Sequence, residues 1–134
     1  MTQEQKELLI KDLSARLPYG VYVEHNSGFR GILHDITVYF TYDDEVTIKD
    51  YMCYTDFFGD ESCKIEFFKP LLFPLSSMTE EQRKIYHELI GGMFGTSALI
   101  NFEVLEDFFH KNHFDYRGLI EKGLAIDATG KNIY

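Results

Sequence analysis

Tryptophan is absent from this chain, cysteine occurs twice and proline three times, and basic residues are outnumbered by acidic ones, 13 to 22. Each shortage excludes something. Cys53 and Cys63 are too few for a disulfide scaffold, and without a Cys-x-x-Cys pair they suggest neither zinc nor thiol exchange. They are expected as half-buried strand thiols in a reducing compartment. The net charge of −9 opposes contact with a phosphate backbone or an anionic membrane, so no direct nucleic-acid or membrane partner is expected. No window approaches the roughly 18 apolar residues that cross a bilayer. The opening MTQEQKELLIKDL lacks the apolar core of a secretory signal, which predicts a cytoplasmic protein.

Motifs that carry chemistry are scarce as well. Ser76-Ser77 precedes a helical pattern without a Gly-x-Ser-x-Gly elbow, and neither cysteine is followed by a helix able to lower its pKa. Gly91-Gly92 and Gly95 follow a helix rather than a strand, the wrong side for a phosphate cradle. The sequence therefore names no catalytic or cofactor-binding residue, and no cofactor is expected.

What is present suits one domain over residues 1–134, with 45% apolar residues to fill a core. The chain is organised around FEVLEDFFHKNHFDYRGLIEKGLAID, residues 102–127. There Val104, Leu105, Phe108 and Phe109 share one helical face, and His110, Lys111 and His113 gather where a helix C-terminus favours cations. Asn112 is expected in the left-handed conformation that ends this helix. Asp115 should cap a further helix of about two turns by accepting from the Arg117 or Gly118 N–H, with Leu119 and Ile120 inward and Gly123 as the stop. On this reading Phe108 and Leu119 are core, and His110 lies on the surface.

The rest follows in order. Thr2 and Gln5 have the spacing of a capping box, and Leu9, Leu13 and Leu17 recur until Pro18, which predicts a helix over 3–16. From Tyr19 the period becomes two. Val21 and Val23 alternate with Tyr22 and Glu24, and Asn26-Ser27-Gly28 turns the chain. Ile32, His34, Ile36, Val38 and Phe40 then share an apolar face opposite Leu33, Asp35, Thr37, Tyr39 and Thr41. Turns at Asp43-Asp44 and Gly59-Asp60 separate strands carrying Val46, Ile48 and Met52 and then Cys63, Ile65 and Phe67, and Pro70 should end the ladder. Residues 70–74 read as a stiff connector. Thr79 and Gln82 form a second capping box, followed by a buried face of Ile85, Tyr86, Leu89 and Ile90 and an end at Gly91-Gly92. GGMFGT, residues 91–96, is the most flexible-looking internal stretch, and Ser97 or Asn101 caps the next helix. The expectation is an α+β domain: an N-terminal helix, an antiparallel meander or half-barrel of about four strands, then two to three C-terminal helices.

His113-Phe114-Asp115-Tyr116-Arg117-Gly118-Leu119-Ile120-Glu121-Lys122-Gly123-Leu124-Ala125 resembles the motif of a family of small uncharacterised proteins encoded by anaerobic gut bacteria and their phages and prophages. Lys69-Pro70, Pro74-Leu75-Ser76-Ser77-Met78-Thr79-Glu80-Glu81 and Leu13-Ser14-Ala15-Arg16-Leu17-Pro18-Tyr19-Gly20-Val21 are similar to the same family, and the likeness thins out between residues 24 and 64. The resemblance implies no activity, ligand or catalytic residue. This chain departs from the family pattern at Phe108-Phe109-His110-Lys111, where Trp-Leu-Asn-Lys would stand.

Three constellations remain. Asp107, His110, His113 and Asp115 have a spacing that can present imidazole and carboxylate to a metal, although no glutamate lies between the histidines to act as a base; helix-end cations and a capping Asp115 account for the same residues, so no metal ligand is assigned. His34, between Ile32 and Ile36, is expected as a satisfied core or rim histidine ahead of a catalytic base. The aromatics of the β region, Tyr39, Tyr42, Tyr51, Tyr54, Phe57, Phe58 and Phe68, cannot all face one small core. Their neighbours are Asp43, Asp44, Glu45, Asp50, Asp56, Asp60 and Glu61, so Tyr39, Tyr42, Tyr51 and Tyr54 form a candidate surface for a protein partner. The expected function is a non-catalytic interaction or accessory protein of a bacterial mobile element or phage. The alternatives are an acidic mimic of nucleic acid acting on a DNA-binding protein, and a metal-dependent enzyme using Asp107, His110 and His113.

Overall fold

The computed structural model describes residues 1–56, 62–93 and 98–134. Helix α1 (Gln3–Arg16) begins with the expected capping box: the Thr2 hydroxyl accepts from the Gln5 N–H at 3.1 Å, and the Gln5 side-chain Oε1 accepts from the Thr2 N–H at 2.9 Å. Leu9 and Leu13 are fully buried. Pro18 then tightens the chain into a 3-10 turn (Leu17–Tyr19), and Gly20 leaves it at φ 75°.

Four strands follow, β1 (Tyr22–His25), β2 (Arg30–Asp43), β3 (Val46–Thr55) and β4 (Ser62–Lys64), each antiparallel to the next. A 3-10 turn (Ile65–Phe67) leads into β5 (Phe68–Pro74), which pairs antiparallel with β1. After a 3-10 turn (Leu75–Ser77) come α2 (Glu80–Met93) and α3 (Ala98–Lys111). The two-residue strands β6 (Phe114–Asp115) and β7 (Ile126–Asp127) both lie parallel to β5. The architecture is α+β: an N-terminal helix, a seven-stranded sheet in the order β4-β3-β2-β1-β5-β6 with β7 also on β5, and C-terminal helices.

The strand count exceeds the expected four because the expected connector, residues 70–74, is part of strand β5, and because β6 and β7 pair with it. A proline fits a strand where the ladder asks for no N–H, and β5 contains both Pro70, opposite Val23, and Pro74 at its end. The sheet cannot be flat. In a flat sheet four inter-strand steps of about 4.8 Å would put β4 about 19 Å from β5, yet the three residues between Lys64 and Phe68 reach at most about 14 Å. β4 and β5 therefore curl toward each other, and α1 contributes Leu9 and Leu13 to a core with Val21, Val23, Leu33, Tyr51, Cys53, Ile65, Phe68, Leu72 and Leu119.

On β2 the expected alternation slips. Leu33 pairs with Thr55 and Asp35 with Tyr54, so His34 is the extra residue of a bulge. The bulge turns Leu33 into the core and Ile36 against it, and leaves His34 exposed rather than satisfied inside.

The C-terminal helical region differs in three places. Leu105, Phe108 and Phe109 are buried with Met78 and Phe114 in a second core cluster, but Val104 is 45% exposed. The second capping box forms as read, with Thr79 and Gln82 exchanging bonds of 2.9 and 3.1 Å. α2 nonetheless runs through Gly91 and Gly92 to Met93, and its Ile85 is exposed. Asn101 lies within α3 and is no cap. Ser97, Phe57, Phe58 and the Gly59-Asp60 turn fall outside the described residues, as do residues 94–96 of the glycine-rich stretch.

No helix follows Asp115. Its carboxylate accepts from the N–H groups of Leu119 and Ile120, both at 2.9 Å, rather than from Arg117 or Gly118. One carboxylate thereby gathers a loop with left-handed turns at Gly118 and Gly123, while Leu119 is driven fully into the core. His113, at φ 60°, takes the left-handed position expected of Asn112.

Candidate interaction surface

The length of β2 and β3 creates the most exposed feature of the molecule. β1 covers β2 only from Arg30 to Ile32, and β4 covers β3 only at Met52, Cys53 and Tyr54. Beyond those contacts the two strands pair only with each other among the described residues, out to Asp43 opposite Val46. The pair forms a two-stranded arm in which every residue from 37 to 49 except Tyr39 is exposed. Asp44 and Glu45 close it with φ of 46° and 68°, the left-handed pair of a type I′ turn whose twist suits a hairpin.

The arm is apolar on both faces. Alternation puts Val38, Phe40 and Tyr42 on one side, 49%, 55% and 80% exposed, and cross-strand pairing puts Val46 and Ile48 on the other. Its composition is one-sided: residues 35–50 carry Asp35, Asp43, Asp44, Glu45 and Asp50 against one basic residue, Lys49. At the root Lys6 of α1 reaches Asp50 at 3.3 Å, and the Tyr51 N–H donates to the same carboxylate oxygen at 2.8 Å. Burial alone would raise the Asp50 pKa, but the Tyr51 N–H and the Lys6 ammonium outweigh it and hold it below the ordinary value. The neighbouring Tyr39 hydroxyl is pushed up, by burial first and then by the Asp50 charge.

Of the four tyrosines read as a surface, Tyr42 stands free at the tip, and Tyr39 and Tyr54 are half-buried. Tyr51 does not belong to the surface. Its ring is 4% exposed in the first core, opposite Val38. The residues that sequence reasoning missed are Val38, Phe40, Val46 and Ile48, which alternation marks as apolar strand positions without showing that they are exposed. Length was the available signal. Fourteen strand residues extend about 46 Å, whereas the helix meant to cover them, also of fourteen residues, spans about 21 Å.

The constellation of Asp107, His110, His113 and Asp115 disperses. Asp107 is exposed and accepts from the Tyr19 hydroxyl. His110 is not a surface residue: it is 5% exposed, with Nε2 at 2.7 Å from the Tyr116 hydroxyl. That hydroxyl already accepts from Arg117 Nη2 at 3.0 Å, so its own proton is left for His110. Burial first and the Arg16 charge second lower the His110 pKa, in keeping with a neutral ring. Arg117 Nε continues the network to Asp12 at 3.2 Å. Arg16 meets the same carboxylate through Nε at 2.7 Å and Nη2 at 3.2 Å, and also donates to the Phe114 carbonyl at 2.6 Å. Asp12 and Arg16 are wholly buried, which makes this network a staple between α1, α3 and the C-terminal loop.

His113 turns away to stack on Tyr134. Among the described residues no group of three or more His, Cys, Asp or Glu side chains is arranged to hold a metal ion. An open groove of about 430 Å³ between α2 and α3, lined by Tyr19, Ile85, Leu89, Val104, Asp107 and Phe108 among others, contains no serine, threonine, cysteine or histidine among its described lining. No helix among the described residues is long and apolar enough to cross a membrane. Compared with family models, curated proteins and solved structures, the chain matches none.

Proposed function

We propose that this is a non-catalytic interaction protein that docks onto a partner protein through the β2–β3 arm. The observation that carries the reading is the double apolar face of the arm. An isolated two-stranded hairpin is marginally stable in water, and five exposed large apolar side chains on one are a cost that a partner surface would remove. The free edges of the arm offer backbone groups for strand addition, and its four exposed carboxylates favour a partner segment that alternates apolar and basic residues. Taken with the resemblance noted above, the proposal extends to an accessory or modulator protein of a bacterial mobile element or phage.

The test is capture from the native host with the wild-type chain and with a Phe40→Asp, Tyr42→Ser double variant, after circular dichroism shows both folded. A partner held by the first and lost by the second supports the reading. A partner held equally by both removes the arm from it, and turnover of a metabolite by the purified protein would sink it.

The run Asp43-Asp44-Glu45 at the tip favours a second reading, an acidic mimic of nucleic acid on a DNA-binding protein. In that case the complex weakens steeply with added salt and free DNA competes for the partner. A salt-insensitive complex excludes it.

A further inference from the structure

The chain has two cysteines, ten positions apart, and the fold sets them face to face. Cys53 on β3 and Cys63 on β4 are direct partners in the antiparallel register, both as free thiols. Direct cross-strand partners project from the same face of the sheet, and here they do so toward the same core: Cys53 lies within the first cluster and Cys63 packs against it. We propose that Cys53 and Cys63 are a redox site, a dithiol that a small disulfide of the glutathione class oxidises reversibly to a cross-strand disulfide at the root of the arm.

The geometry allows closure with little movement. Opposed side chains on paired strands carry Cβ atoms about 4.5–5.5 Å apart, and a disulfide asks for about 3.5–4.5 Å. The shift of about 1 Å falls on β4, a three-residue strand with one strand neighbour among the described residues, which yields more easily than β3 between two. Such a bond is held under strain, the condition that makes a disulfide labile rather than structural.

Access fixes the order of the chemistry. Cys63 is half-buried on the edge, and Cys53 is fully buried behind it. The Cys63 thiolate attacks one sulfur of the external disulfide, an S–S bond forms to that sulfur, and the first thiolate leaves. Cys53, once deprotonated, attacks the Cys63 sulfur and expels the second thiolate. Two electrons pass from the pair to the reagent, and two protons pass to solvent or to the released thiolates. Burial and the nearby Cys63 push the Cys53 thiol up to about 12, so the second step is the slow one and quickens with rising pH. The product joins β4 covalently to β3 where the arm leaves the sheet.

The test uses the full chain in a series of oxidised and reduced glutathione. The expected result is a product lighter by two hydrogens, with both thiols lost together, a Cys53 to Cys63 linked peptide on digestion, and full reversal by dithiothreitol. Cys53→Ser should stop at one glutathione on Cys63, and Cys63→Ser should react far more slowly than wild type. Stable glutathione adducts on the wild-type chain, or an intermolecular dimer through Cys63, would overturn the proposal. Phenylarsine oxide gives a readout that does not depend on the variants folding. A facing dithiol takes up one arsenical per folded chain and, once excess reagent is removed, keeps both thiols from iodoacetamide added in urea, whereas two separated thiols are both alkylated there.

Discussion

The imidazole of His113 lies flat on the ring of Tyr134, with centroids 3.6 Å apart and planes 14° from parallel. Tyr134 is itself anchored by its hydroxyl, which accepts from the Tyr22 N–H at 2.9 Å and donates to the Leu71 carbonyl at 2.8 Å. It inserts where β1 and β5 part company, just past Val23 opposite Pro70. His113 therefore sits between the end of α3 and the junction of two strands, and its buried Nδ1 has no hydrogen-bond partner among the described residues.

Burial, helped by the Arg16 charge, lowers the His113 pKa to about 4, against the ordinary 6.5. Between those values the unfolded chain binds the proton and the folded chain does not, so stability rises with pH across that window. The contribution is complete above about pH 6.5 and is lost as pH falls to about 4. Urea midpoints measured from neutral pH downward should fall more steeply for wild type than for His113→Asn, because asparagine tolerates the left-handed backbone and does not titrate. His110, lowered for the same main reason, leaves the variant a residual slope of the same sign. Equal slopes would show that His113 is open to water.

Sequence made the local elements legible and hid what depended on distant contacts. Both capping boxes could be read because donor, acceptor and spacing all lie within four residues. The parallel partners of β5 could not, because β6 and β7 are two residues each, too short for any period to show. His110 was misplaced for a related reason. Helical spacing reports which face a residue occupies, but the rings packed on this one, Tyr116 and Tyr19, come from the C-terminal loop and from the turn after α1. The arm failed in the opposite direction: an alternating pattern marks strand pairing, and it continues whether or not anything covers the strand.

Asp12 is the strongest point of the C-terminal staple, since it answers two guanidiniums at once. Asp12→Ala leaves Arg16 charged and wholly buried and should cost about 3–5 kcal/mol, the range for removing one partner of a buried ion pair. Arg117→Ala should cost less, because its side chain keeps some contact with water and Arg16 still neutralises Asp12. Chemical denaturation of both variants orders them, and the reverse order would mean that Arg117 rather than Arg16 holds the carboxylate.

His110 and the two apolar anchors should now fall on the same side. Leu119→Ala and Phe108→Ala are each expected to cost about 2–5 kcal/mol as large-to-small changes in packed clusters. His110→Ala should cost about 1–3 kcal/mol through the lost bond to Tyr116, where a surface histidine would cost almost nothing. A wild-type denaturation midpoint for His110→Ala would return the ring to the surface.

At the tip of the arm Glu45 holds φ 68° without being glycine. A left-handed backbone costs an ordinary L-residue about 1–2 kcal/mol, and Asp44, at 46°, belongs to the type that bears it more easily. Glu45→Gly relieves that strain and gives back about 0.4–1 kcal/mol through the freer unfolded chain. The net gain is about 0.5–1 kcal/mol, and it is confined to the hairpin, because nothing else packs on residues 43–46 among the described residues. Global unfolding is the wrong measurement for so local a change. Amide exchange of Thr41, Val46 and Ile48, which lie in the hydrogen-bonded pairs of the hairpin, should slow about two- to fivefold while exchange in the buried part of α1 stays as in wild type. Glu45→Val, which places a β-branched side chain on the same backbone, should speed exchange at the same three amides. If glycine speeds it instead, the turn is not type I′ and the arm leaves the sheet with a different twist.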